Sequence, residues 1–126
     1  MRAVDTNVLV RLIVRDDVRQ AAVAEEFVEK RAWVSHVALA ETTWVLETVY
    51  GLSASEIATA IKLLLDHRDL SLQDPDVVRA ALEKFRARPS VGFSDCLMLE
   101  SARRAGHLPL GTFDRDLGKL DGAHKL

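Results

Sequence analysis

Four carboxylates stand where acid chemistry would need them. Asp5 follows the apolar pair Ala3-Val4, and Asp114 follows Leu110-Gly111-Thr112-Phe113, so each sits where a short strand ends. Glu41 and Asp95 fall inside helical patterns instead. At ~100° per residue, Glu41 lies between Val37, Trp44 and Val45, near the middle of an apolar arc, whereas Glu47 falls at the arc's border. Asp95 heads a stripe continued by Met98, Leu99 and Ala102, while Glu100, Arg103 and Arg104 point elsewhere. A carboxylate centred on a buried face is costly unless it is paired or bound to a metal. If the four converge, they repel and raise one another's pKa values. A hard divalent cation relieves that repulsion, and oxygen-only ligands favour Mg²⁺ or Mn²⁺ over zinc. Such an ion binds a phosphate oxygen, acidifies a water and steadies a leaving oxygen, so phosphodiester hydrolysis is the reaction this set would serve. Each acid taken alone also has an ordinary reading. Asp5 and Asp114 can cap helices or close Asx-turns, Glu41 can reach solvent at a sheet rim, and Asp95 is favourable in a first helical turn.

The elements that carry these residues alternate short apolar runs with longer helical periods. Ala3-Val4 leads into Asp5, and Val8 to Val14 reads as a short helix. Asp16-Asp17 can cap a helix over about Val18 to Lys30, Trp33-Val34-Ser35 reads as a strand, and a helix from Val37 to Tyr50 stops at Gly51. Ser53 with Glu56 has capping-box spacing and opens a helix to His67. Leu70-Ser71-Leu72 is a third strand, and Asp74-Pro75 starts a helix to Arg86. A loop from Ala87 to Gly92 precedes a helix from Ser94 to Ala105, stopped by Gly106. Leu108 to Thr112 is a fourth strand, which Pro109 confines to an edge or a start, and Ala123 to Leu126 supplies a fifth. Strands alternating with such helices predict an α/β fold, with ligands gathering beyond the carboxyl ends of a parallel sheet.

Composition bounds the alternatives. The chain has 126 residues, 48% apolar and 29% charged, with 17 Lys+Arg against 19 Asp+Glu and a formal net charge of −2. That length suits one domain with one core, and the apolar fraction excludes a disordered chain. One cysteine, Cys96, excludes an internal disulfide framework and a thiolate cluster, and fits a reducing cytosol. Near-neutral charge gives no global pull toward nucleic acid or membrane, so a polyanionic substrate must be held by local charges or a metal. No run reaches the ~18 apolar residues that span a bilayer, and Asp5 and Arg11 interrupt the only signal-like stretch. A cytoplasmic location is expected.

Val4-Asp5-Thr6-Asn7-Val8-Leu9, Ala40-Glu41, Phe93-Ser94-Asp95 and Thr112-Phe113-Asp114-Arg115-Asp116-Leu117 resemble, in order and spacing, the successive acidic motifs of PIN-domain ribonucleases. The VapC-type toxins of toxin–antitoxin pairs are the most similar subgroup, and the resemblance covers essentially the whole chain. It implies a single PIN-like nuclease domain over residues 1–126, a three-layer α/β/α sandwich around a mostly parallel four- to five-stranded sheet. It also implies Mg²⁺- or Mn²⁺-dependent endonucleolytic cleavage of RNA, homodimerisation, and inhibition by a small VapB-type antitoxin. By motif matching, Asp5, Glu41, Asp95 and Asp114 take the acidic, metal-holding positions, and Asp116 matches a further acid. Thr6, Asn7 and Thr112 match supporting polar residues. Pro109, and Ser94 where many members carry a small apolar residue, depart from the pattern without removing a carboxylate.

Two rival readings remain. Asp5 could be the nucleophile of a phosphatase, although that chemistry usually wants a second acid where Asn7 stands. The acids could also form a non-catalytic module that binds a basic partner. His36, His67, His107 and His124 lack paired spacing, which disfavours a histidine metal site or a triad. Cys96 reads as a small, partly buried side chain, and Trp33 and Trp44 as core. Arg11, Arg15 and Arg19, or Lys84, Arg86 and Arg88, could hold RNA phosphates, with solvated faces as the plain alternative.

Overall fold

Parallel pairing of three short strands organises the first half of the chain. In a computed structural model describing residues 1–126, the polypeptide packs as two units, Met1–Pro75 and Asp76–Leu126. In the first, β1 (Arg2–Ala3), β2 (Ala32–Val34) and β3 (Leu70–Leu72) form a parallel sheet in the order β1-β2-β3. Ala3 lies opposite Trp33, and Val34 opposite Leu72. Parallel neighbours need long crossovers. Helices α1 (Thr6–Val14) and α2 (Val18–Val28) supply the first, and α3 (His36–Thr48) and α4 (Ala54–Asp66) the second. Both connections therefore leave from the carboxyl ends of their strands.

Local chemistry sets the helix starts. Asp5, Asp17, Ser35 and Ser53 each accept a hydrogen bond from the backbone N–H three residues on, at 3.2, 3.0, 3.0 and 3.2 Å. Glu56 completes the expected capping box by accepting from the Ser53 N–H at 2.9 Å. Gly51, at φ +66°, supplies the left-handed residue beyond α3, and its N–H reaches the Glu47 carbonyl at 3.1 Å. The apolar faces meet around Leu9, Val10, Val34, Leu39, Leu46 and Ile61, each at most 2% exposed.

The second unit holds α5 (Pro75–Ala87) from Asp76 onward, α6 (Phe93–Ala105), β4 (Leu110–Thr112) and β5 (Ala123–Lys125), with one-turn 3-10 segments at Pro89–Val91 and Leu117–Lys119. β4 and β5 pair in parallel, Leu110 opposite Ala123 and Thr112 opposite Lys125. Phe85 and Phe93 join α5 to α6, their rings edge to face at 6.1 Å. Gly118 lies so close to the strand that a Cβ there would sit 2.8 Å from the Cβ of Lys125.

All five expected strands and six helices are present and every pair is parallel, consistent with an α/β PIN-like fold. The strands pair as a sheet of three and a sheet of two where one sheet of four to five was expected, since strands of two or three residues offer few ladder hydrogen bonds. The strands are shorter than expected. Pro109 lies outside β4, which begins at Leu110, and Ser35 leaves β2 to cap α3. No helix is long and apolar enough to cross a membrane. Truncating Ile61 to alanine would remove three carbons from a site 1% exposed. Ile61→Ala is expected to cost about 2–5 kcal/mol in urea unfolding, with the midpoint lowered and the slope unchanged.

Candidate functional site

Asp5 occupies the carboxyl end of β1, where the ladder closes with the Val4 N–H on the Trp33 carbonyl at 3.1 Å. Its side chain is exposed, and one oxygen caps α1 through the Val8 N–H. The cap and the strand end are one feature: the residue that starts the helix also presents a free carboxylate oxygen beyond the sheet. Thr6 is buried and Asn7 exposed in the first turn that follows.

Glu41 corrects the sequence reading of α3. The arc through Val37, Glu41 and Trp44 is open to water, with Val37 75% and Trp44 62% exposed and Glu41 exposed between them. The buried face is Ala38, Leu39, Thr42, Thr43 and Leu46. Two threonines go inside because their hydroxyls are satisfied locally: Thr42 donates to the Ala38 carbonyl at 2.7 Å and Thr43 to the Ala40 carbonyl at 2.8 Å. A hydroxyl bonded to its own helix behaves as a small packing group, so the largest apolar side chains do not mark the inward face. Trp33, also expected in the core, is 38% exposed.

In the second unit, Asp95 stands in the first turn of α6, half-buried. Burial pushes its carboxyl above the ordinary aspartate range, and the negative charge of Asp114 pushes it further. These two acids, one on a helix and one after β4, therefore feel each other directly. Asp114 is exposed and held in place: its N–H donates to the Thr112 hydroxyl at 2.9 Å, and its carboxylate accepts from the Leu117 N–H at 2.7 Å. Asp116 is partly exposed at the start of the turn Leu117–Lys119. Neither Asp95, Asp114 nor Asp116 pairs with a basic side chain of its own unit, and the same holds for Asp5 and Glu41.

The stripe expected below Asp95 is also revised. Leu99 is buried, but Met98 is 53% exposed, and Glu100, expected to point away, is 6% exposed. Arg103 makes its burial possible, with Nε 3.3 Å from Oε1 while Nη2 donates to the Asp121 carbonyl at 2.7 Å. The i, i+3 spacing of Glu100 and Arg103 is the sequence signal for this pair. A buried, neutralised glutamate is a structural group, whereas Asp95 and Asp114 keep their charges unanswered.

The basic candidates divide. Arg11 is engaged by Gln20 at 2.6 Å, Asp16 at 2.9 Å and the Tyr50 hydroxyl at 3.1 Å, and Arg15 by Glu25. Arg86 and Arg88 are exposed and make no ion pair within their unit. Beside Asn7, a groove of about 510 Å³ runs between α1 and α2, lined by Val8, Arg11, Arg19, Val23 and Phe27 among others. His36 is structural: its ring Nε2 lies 2.8 Å from the Gln73 carbonyl and its N–H donates to Oε1 of Gln73 at 2.9 Å. Cys96 is fully buried, and burial followed by the charges of Asp95 and Glu100 pushes its thiol up to about 11.

Within neither unit do three or more His, Cys, Asp or Glu side chains gather as a metal cage; the charge-coupled pair is Asp95 and Asp114. All donors at the matched positions are carboxylate oxygens, a set suited to a hard divalent cation and unsuited to soft metals. Residues 2–123 match the family model described as PIN domain. No curated protein and no solved structure compared with the chain matches it significantly.

Because the folded state holds the Asp95 proton more tightly than the unfolded chain, unfolding releases protons between the unfolded value, about 3.9, and the raised folded one. Stability therefore falls as pH rises through that window, and the full penalty persists at neutral pH. Asp95→Asn is expected to raise the Tm at pH 7 by on the order of 1–3 °C and to leave it unchanged near pH 3, as measured by thermal unfolding. The Cys96 thiol, with almost no thiolate at pH 8, is expected to react with iodoacetamide at least about 100-fold more slowly in the folded protein than in urea.

Proposed function

The chain belongs to the PIN-domain family, whose members are generally nucleases, and on that premise we propose that it is a metal-dependent endoribonuclease acting as the toxin of a toxin–antitoxin pair. The observation that supports this reading best is Asp95 beside Asp114: burial and the charge of Asp114 raise the cost of ionising Asp95, and neither acid has a basic partner in their unit. Such a pair is a standing destabilisation that a bound cation would relieve.

Asp5, Glu41, Asp95 and Asp114, with Asp116 as a further ligand, would hold Mg²⁺ or Mn²⁺. Held there, such an ion would supply neutralising charge at the scissile phosphate and would lower the pKa of a nucleophilic water. The chain's own groups prepare for this. Asp5 and Asp114 each spend one oxygen on a backbone N–H, at 3.2 and 2.7 Å, which fixes the carboxylate plane and leaves the other oxygen free. The Thr112 hydroxyl accepts from the Asp114 N–H and keeps its own proton to donate to a carboxylate or a phosphate oxygen. Asn7, exposed in the first turn of α1, can orient a carboxylate or a water. Arg86 and Arg88, free of ion pairs in their unit, suit the RNA backbone better than Arg11 and Arg15, whose guanidinium groups are already engaged.

The same reading makes residues 1–126 a single nuclease domain, cytoplasmic and homodimeric, cleaving RNA to leave 5′-phosphate and 3′-hydroxyl ends, and silenced by a small VapB-type antitoxin. With purified protein and total cellular RNA, cleavage is expected to need Mg²⁺ or Mn²⁺ and to stop with EDTA. Asp5→Asn and Asp95→Asn should each lower it more than about 100-fold while circular dichroism stays unchanged. Full cleavage by either variant at saturating Mg²⁺ would overturn the assignment. On expression in cells, growth arrest should require Asp5 and be relieved by the product of the adjacent open reading frame.

A further inference from the structure

Phe113 is 80% exposed, although its neighbours on both sides are fixed. The chain's other phenylalanines all have partners: Phe85 and Phe93 stack edge to face, and Phe27 lies under the Arg2 guanidinium at 3.9 Å. Among the four phenylalanines only Phe113 offers its ring largely to water; of the other aromatic rings Trp44, on α3 in the first unit, is 62% exposed. Phe113 does so from a turn with little freedom. Thr112 ends β4, and its carbonyl accepts from the Leu126 N–H at 2.8 Å. Asp114 is held by the Thr112 hydroxyl at 2.9 Å, by the Leu117 N–H at 2.7 Å and through its own carbonyl by the Gly118 N–H at 3.0 Å. The ring is thus mounted on the residue next to Asp114, their Cα atoms about 3.8 Å apart, and Asp114 is the acid whose charge bears on Asp95. On the other side of Asp114, Arg115 is exposed and makes no ion pair within its unit. A presented ring, an acid proposed to hold the metal and an uncommitted cation follow one another along the chain.

Resting on the nuclease reading, we propose that Phe113 stacks on an unpaired nucleobase flanking the scissile phosphate, and that this contact confines productive binding to single-stranded RNA. A base can lie on an aromatic ring only when it is free of its own helix, and stacking tolerates any base because each has a π-face. The hydrogen-bonded turn means that little ordering is required when the base arrives. Arg115 adds charge for the adjoining phosphate. Phe113 touches the substrate but not the reacting atoms, so it governs affinity and strandedness rather than the chemical step.

The test measures binding and cleavage separately. In EDTA, Phe113→Ala is expected to weaken binding of single-stranded poly(A) roughly 5- to 150-fold and to leave binding of poly(A)·poly(U) duplex unchanged. Phe113→Trp should restore affinity, and the indole emission it adds over that of Trp33 and Trp44 in wild type should be quenched by poly(A) and not by the duplex. In Mg²⁺, Phe113→Ala should raise KM for RNA with kcat within about threefold of wild type. Equal poly(A) affinity for wild type and Phe113→Ala, equal losses on single strand and duplex, or a loss that tracks a change of sedimenting mass would each overturn the proposal. If wild-type protein cleaves no RNA in Mg²⁺ or Mn²⁺, the nuclease reading fails, while the poly(A) arms still decide the stacking. If wild type cleaves and Phe113→Ala binds and cleaves as well, only the stacking residue is lost.

Discussion

Burial of Asp95 near the charge of Asp114, with no basic side chain of their unit to answer it, is the constraint that sets this protein's acids apart. Asp95 is pushed toward its protonated form by burial and by the charge of Asp114, and no basic side chain of that unit answers either one. Elsewhere the same chain disposes of acids routinely. Glu100 is buried against Arg103, Asp66 meets Lys62, and Asp16 meets Arg11. The contrast sets Asp95 apart as a carboxyl whose charged form the fold disfavours, through burial and then the charge of Asp114.

Position follows from capping. The residues that end β1 and β4 are also the residues whose side chains hold the following turns, Asp5 for α1 and Asp114 for the segment at Leu117. A carboxylate has two oxygens, so one can satisfy a backbone N–H while the other stays available. Capping therefore accounts for these aspartates when each is viewed in isolation and still leaves an oxygen free. The turn that fixes Asp114 holds Phe113 out in solvent at the same time.

Much of the fold was legible from spacing. Ser53 and Glu56 announced a capping box, Gly51 and Gly106 marked helix ends, and alternating short strands with long helices required parallel pairing. Side-chain direction was less legible. On α3 the apolar arc through Val37 and Trp44 proved to be the exposed one, because Thr42 and Thr43 satisfy their hydroxyls on the helix and pack inward. On α6 a buried glutamate was masked by its own ion pair with Arg103. Hydropathy scores a residue alone, whereas burial depends on whether a polar group finds a partner.

The sequence by itself determined which acids are present, that they follow strands or begin helices, and that they stand in the order and spacing of a PIN domain. These are properties of residue type and local periodicity, which short-range sterics and capping impose. Only the tertiary structure decided that Glu41 faces water, that Asp95 and not Glu100 carries an unanswered charge, and that Phe113 stands bare beside Asp114. Each of those outcomes depends on which distant groups share a neighbourhood. Charge and burial are settled by that neighbourhood and not by the residue.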